Sequence, residues 1–264
     1  MQKTLRSVVV ILTAIAILSG IPQVKPTPPV NAAQVWNYAA LGDSLAFGAL
    51  ALPLRGYTFL YRTAVANDTG NTVLLYNLGV PGWKSADLLN ALRTSWSIRV
   101  LIATSRVITW DIGGNDMNAA RGSYKAGTCG GPDNQQCLKD TVAQLKVNWD
   151  GIVAELHQLR NFDRTTVRTM DIYNPFVTED MASISSSGVG TDFDVLKFYL
   201  DDVNAYIADR SLKEHVGLAR VYFSFNGPDG KVDPKSLGFI AFDGFHPNDA
   251  GHAEMARLLR ALGY

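Results

Sequence analysis

The 264-residue chain has no surplus charge of either sign, 24 lysines and arginines standing against 24 aspartates and glutamates. Without a basic field there is nothing to neutralise a phosphate backbone, and nucleic acid is excluded as a partner. Histidine is scarce, with four residues, and cysteine scarcer, with two. Two thiols without a neighbouring histidine cannot complete a zinc sphere, so no metal is expected. A glycine-rich phosphate loop of the P-loop or dinucleotide type is missing, and with it any expectation of a cofactor. Repeats, blocks of like charge and a second domain boundary are also lacking. The one apolar run of note, residues 8–18, is too short to cross a bilayer of ~30 Å hydrocarbon.

That run follows Lys3 and Arg6 and has the length of a secretory h-region. Residues 1–32 are therefore expected to be a signal peptide with a proline-rich leader, and residues 33–264 one exported domain, mildly acidic once Lys3, Arg6 and Lys25 are lost. Small residues at 30–32 suit cleavage, but Pro22, Pro26, Pro28 and Pro29 separate them from the apolar run. The alternative is an uncleaved anchor on a proline-rich tether, giving peripheral membrane association. Cys129 and Cys137 flank the turn-forming residues 130–134, and in an oxidising compartment such a lone pair is expected to form a disulfide. Oligomeric state is not legible.

From residue 38 onward short apolar runs alternate with helical patterns, the signature of an α/β fold with a parallel sheet wrapped by helices. Strands are expected near 37–41, 73–78, 107–112, 167–173 and 219–225, runs rich in β-branched and aromatic residues. Leu138, Val142, Leu145, Trp149, Ile152, Leu156 and Leu159 recur at steps of four and three, which puts one apolar stripe on the sheet and makes Trp149 a core residue. A second helix is expected around Val195, Tyr199, Val203 and Tyr206. A third spans 247–259, with Pro247 in its first turn.

Four short strings carry chemistry: Gly42-Asp43-Ser44-Leu45, Asn77-Leu78-Gly79, Gly113-Gly114-Asn115-Asp116 and Asp243-Gly244-Phe245-His246-Pro247. Three of them follow expected strands, and in open parallel sheets ligands bind beyond the carboxyl ends of the strands. Each residue also has a plainer reading. Ser44 suits a helix cap, Gly79 a turn before Pro81-Gly82, Asn115 a cap, Asp243 an Asx-turn and His246 a capping or core histidine. Together they supply a nucleophile, a base with an orienting acid three residues away, and donors for a developing oxyanion in the N–H groups of Ser44 and Gly79 and the Asn115 amide. Asp43 and Asp116 are expected to bond local backbone, and His157, His215 and His252 receive no role. The Gly-x-Ser-x-Gly elbow is absent, since Ala46 stands two residues after Ser44. Asn67-Asp68-Thr69 matches a glycosylation acceptor but is weak evidence.

The four strings, in this order and spread, resemble those of the SGNH or GDSL hydrolases from Gly42 to Pro247; residues 118–137 and the leader lie outside the resemblance. It implies a three-layer α/β/α sandwich with a five-stranded parallel sheet in the flavodoxin-like order 2-1-3-4-5. It also implies Ser44 as nucleophile, His246 as base, Asp243 as its orienting acid, and Ser44, Gly79 and Asn115 as the oxyanion hole. The implied activity is ester hydrolysis by an exported serine esterase or lipase through an acyl-enzyme on Ser44, without cofactor or metal. The alternative substrate is an O-acetylated polysaccharide or cell-wall glycan. A non-catalytic glycan-binding module is the rival outside the enzymes. The framework leaves little chain for a lid, so short to medium acyl groups are expected. Trp83 and Phe245, the apolar residues nearest the strings, are expected either to line an acyl groove or to pack into the core.

Overall fold

The computed structural model describes residues 33–186 and 188–264; the expected signal peptide and leader, residues 1–32, lie outside the described residues. Five strands, β1 (Val35–Gly42), β2 (Thr72–Gly79), β3 (Val107–Trp110), β4 (Thr166–Met170) and β5 (Gly217–Ala219), form one parallel sheet in the order β2-β1-β3-β4-β5. The helices are α1 (Ser44–Phe47), α2 (Tyr57–Thr69), α3 (Ser85–Thr94), α4 (Trp96–Thr104), α5 (Gly114–Lys125), α6 (Gln136–Leu159), α7 (Val177–Met181), α8 (Asp192–Lys213), α9 (Val221–Asn226) and α10 (Asp249–Ala261).

Alternate strand residues point to opposite faces, and the chain uses both. Tyr38 and Ala40 of β1 pack with Val73, Val107, Tyr57 and Tyr61 of α2, and Met255 and Leu259 of α10. Their neighbours Ala39 and Leu41, with Ile108 and Trp110, pack against α3, α4, α6 and α8 on the other face. The result is the expected α/β/α sandwich. The α6 stripe is buried from Leu138 to Leu156, and Trp149 lies 6.0 Å from Trp110. Each large side chain buried in this way contributes about 1.5–3 kcal/mol. The strand order reverses about β1, where the connections to β2 and β3 depart on opposite sides, which opens a crevice at the carboxyl ends of β1 and β3.

Three expectations are corrected. The run at 219–225 is not a strand: β5 ends at Ala219 and the apolar residues that follow form α9, whose Val221 and Phe225, one turn apart, are both buried against α10. The Tyr222 N–H at its start donates to Asp171, 51 residues away, so the start signal is tertiary. Second, β3 and β4 leave the ladder at Trp110 and Met170, earlier than the apolar runs suggest, and their continuations line the crevice. Third, Pro247 precedes α10 and bridges Ile240; the cap is Asn248, accepting from the N–H groups of Ala250 and Gly251. Cys129 and Cys137 are disulfide-bonded, with Cα atoms 4.8 Å apart, joining the connection after α5 to the first turn of α6. No described helix is long and apolar enough to cross a membrane.

Candidate active site

At the end of β1 the chain passes against Asp111, and a Cβ on Gly42 would lie 2.4 Å from the Asp111 carbonyl oxygen. Asp43 then caps α1 by accepting from Leu45 N–H at 2.9 Å, so that Ser44 becomes the first helical residue. Its N–H belongs to the first turn, where an amide has no intrahelical acceptor. Ser44 is buried, and its Oγ lies 2.9 Å from His246 Nε2 although the two are 202 residues apart.

His246 Nδ1 is 2.5 Å from Asp243 Oδ2, while Asp243 Oδ1 accepts from the N–H groups of Phe245 and His246 at 3.0 Å each. The Asx-turn and the side-chain relay therefore coexist in one turn. Partial burial raises the Asp243 pKa, but the bonds from the His246 ring and the two amides outweigh it and hold the carboxyl below its ordinary range. An ionised Asp243 fixes the proton on Nδ1 and leaves Nε2 as an acceptor facing Ser44. The turn is pinned from outside by Ala241 N–H on His246 O and by the Tyr173 hydroxyl on Phe245 O.

Asn115 is the second residue of α5 and caps nothing; its Nδ2 donates to Trp83 O at 2.9 Å and lies 3.3 Å from Asp43 Oδ2. Gly79 ends β2 in register with Gly42, and a Cβ there would meet the backbone of Ala46 and Phe47 at 2.4–2.7 Å, so only glycine lets α1 approach. Its N–H donates to Asn77 Oδ1 at 3.1 Å, and Asn77 Nδ2 in turn holds Ala46 O. Ser44 and Asn115 thus share one pocket, whereas Gly79 is not among its lining residues. Asp116 bonds Ser85 N–H and Oγ in α3 as well as its own backbone.

The pocket beside Ser44 has a volume of about 80 Å³ and is mainly apolar, walled by Ile112, Met170, Ile172, Leu196, Leu200 and Phe245. Phe245 lies edge-on to His246 and stacks on Phe176, over which Arg121 sits at 3.8 Å. Of the two aromatics expected near the site, Phe245 lines this pocket and Trp83 packs against the core. Sequence reasoning missed Asp111, which is 3% exposed, lies next to Asp43 and accepts from the Tyr57 hydroxyl. A lone acid inside an apolar strand-like run was the signal. His252, given no role, is fully buried; it accepts from Tyr57 N–H through Nδ1 and contacts Ala49 O through Nε2, and burial lowers its pKa. Among the described residues no group of acids, histidines and cysteines could hold a metal ion.

Ser44, His246 and Asn115, gathered at the carboxyl edge of a 2-1-3-4-5 sheet, are the arrangement expected of an ester-cleaving hydrolase. The chain belongs to the GDSL-like lipase/acylhydrolase family, whose model matches residues 40–254, and is a carboxylic ester hydrolase. No curated protein matches it. Among solved structures, the lipase Lip_vut3 from a goat rumen metagenome superposes with a TM-score of 0.70 at 21% identity, over 87% of this chain and 98% of that one. The acetylxylan esterase Axe2 from Geobacillus stearothermophilus gives 0.56 at 17% identity, over 87% and 94%. TesA gives 0.56 at 16% identity, over 86% and 99%. At these identities the likeness is one of fold.

Proposed function

We propose that the chain is an exported serine esterase that cleaves esters of short acyl groups through an acyl-enzyme on Ser44. The observation that carries this reading is the unbroken hydrogen-bond series from Ser44 Oγ through His246 to Asp243. In the proposed reaction Ser44 Oγ attacks the ester carbonyl as His246 Nε2 takes its proton. The oxyanion is met by the Ser44 N–H and the Asn115 amide; Gly79 joins them if its N–H leaves Asn77. Collapse expels the alcohol, which receives the proton from His246, and a water activated at the same nitrogen then releases the acid. No step needs a cofactor.

The pocket volume of about 80 Å³ bears on the acyl group. It is roughly half the ~150 Å³ of an apolar cavity that holds benzene, which suits a few carbons rather than a long chain. The same volume favours a second reading, removal of acetyl groups from a glycan, an activity carried on this fold by the acetylxylan esterase named above. Export is supported by the disulfide, which persists in oxidising compartments.

The test is a fluorophosphonate probe together with a panel of aryl esters from acetyl to palmitoyl, run beside acetylated xylan. Wild type should be labelled at Ser44 and Ser44→Ala should not, with turnover at background and an unchanged melting temperature. Near-wild-type hydrolysis by Ser44→Ala overturns the serine mechanism. A maximum at palmitoyl overturns the short-chain reading, and acetate release from glycan alone selects the second one.

A further inference from the structure

Beneath Ser44 and Asn115 lies a pair of carboxyl groups that the proposed reaction does not use. Asp43 and Asp111 are each 3% exposed, the Asp43 N–H donates to Asp111 Oδ2 at 3.3 Å, and the two carboxyls lie within hydrogen-bonding reach of one another. Two carboxylates cannot share a hydrogen bond unless one of them holds a proton. The titratable groups that act most strongly on the pair are Tyr38, Tyr57, Tyr173, Asp116 and His246, and two ionised carboxylates side by side at this depth repel one another.

The surroundings decide which member is the acid. Asp43 sits at the start of α1, accepts from Leu45 N–H and is near His246, all of which favour its ionised form. Asp111 lies deeper, between Tyr57 and the Asp43 backbone, with the Tyr57 hydroxyl 2.5 Å from Oδ1 and Asp43 N–H 3.3 Å from Oδ2. Burial and the adjacent Asp43 carboxylate push Asp111 well above its ordinary range, against the bond from the Tyr57 hydroxyl.

Resting on the reading of Asn115 as an oxyanion donor, we propose that Asp111 is a positioning residue: a neutral acid that donates to Asp43 and thereby leaves the Asn115 amide free for the oxyanion. The Asn115 amide has two N–H groups. One is committed to Trp83 O at 2.9 Å, while the other is held only at 3.3 Å by Asp43 Oδ2. A proton from Asp111 occupies a lone pair of Asp43 and draws charge off the oxygen that competes for that second N–H. It also leaves one negative charge, not two, beneath an atom that must itself become an anion. The acid is held in place through Tyr57, whose backbone N–H is anchored on the buried His252 of α10.

The test compares Asp111→Asn, which keeps a donor toward Asp43, with Asp111→Ala, which does not. We expect Asp111→Asn to keep kcat within about threefold of wild type, and Asp111→Ala to lose about tenfold or more in kcat with KM nearly unchanged, the pattern of an interaction made only in the transition state. Asp111→Asn falling as far as Asp111→Ala would mean that a charge, not a proton, is needed at this position, and would overturn the proposal, as would wild-type kcat in Asp111→Ala. Should Asp111→Ala fail to fold, the Asp111→Asn rate and an infrared difference spectrum of wild type minus Asp111→Asn at neutral pH decide the matter. A protonated-carboxyl band lost in the variant supports the proposal, and no such band overturns it. Wild-type protein that the fluorophosphonate does not label at Ser44 would defeat the esterase reading itself, whereas labelled, active wild type with an indifferent Asp111→Ala defeats only the role of Asp111.

Discussion

Asn115 separates chemistry from scaffold more sharply than any other side chain near Ser44. As the proposed oxyanion donor it would act once charge develops on oxygen, so Asn115→Ala should lower kcat by roughly 10²- to 10³-fold, ~3 kcal/mol, with little change in KM. Steady-state kinetics check this, and an effect confined to KM would remove Asn115 from the oxyanion pocket. Asp171 reports on pH instead. Burial lifts its carboxyl from the ordinary 3.8 to about 6, against the bonds from Tyr222 N–H and Arg220. The folded state therefore holds that proton more tightly than the unfolded chain. The group's contribution to stability is fully present below about pH 4 and is lost as pH rises to about 6, a change of about 3 kcal/mol. The melting temperature of wild type minus that of Asp171→Asn should fall across this window and be flat above it; a constant difference would contradict the assignment. Ser44, Asn115, Asp243 and His246 were legible because each sits in a short string with its own local geometry. Asp111 was not, because its importance comes from Asp43, 68 residues away in sequence and adjacent only once β1 and β3 pair.

Among the elements, periodicity over a long segment proved more informative than composition over a short one. The α6 stripe runs for six turns at a single spacing, and the helix follows it. The largely apolar run after Arg220 fits a strand or a helix equally well, and what makes it α9 is Asp171 receiving the Tyr222 N–H from another part of the fold. The ends of β3 and β4 were overdrawn for a related reason: Ile112 and Ile172 are apolar because they wall a pocket, not because they pair in a sheet. The link between α5 and α6 is an element in its own right. Its disulfide closes a short loop, so replacing both Cys129 and Cys137 by alanine should cost about 2–3 kcal/mol. Urea titration measures this loss. Hydrogen exchange should show faster opening of the connection between the two helices, while an unchanged midpoint would mean that the bridge stabilises nothing.

At the scale of the whole molecule, the alternation of strands and helices announced a wrapped parallel sheet, but the order of its strands came only from the resemblance to a known family. No local signal says that β1 lies between β2 and β3. That order, and the return of the last helix onto the second, bring distant parts of the chain together: α10 packs on α2, with Arg260 and Tyr264 both bonded to Asp68 and His252 holding Tyr57. The proposed nucleophile leaves the first strand, and its proposed base enters the last helix. A ribosome delivers the latter 202 residues after the former. A chain still being made can carry Ser44, Asn115 and most of the pocket walls while lacking the group proposed to take the serine's proton. Under the proposed mechanism such a chain is disarmed until His246 has been made, and a product cut short after α9 should be inert rather than weak.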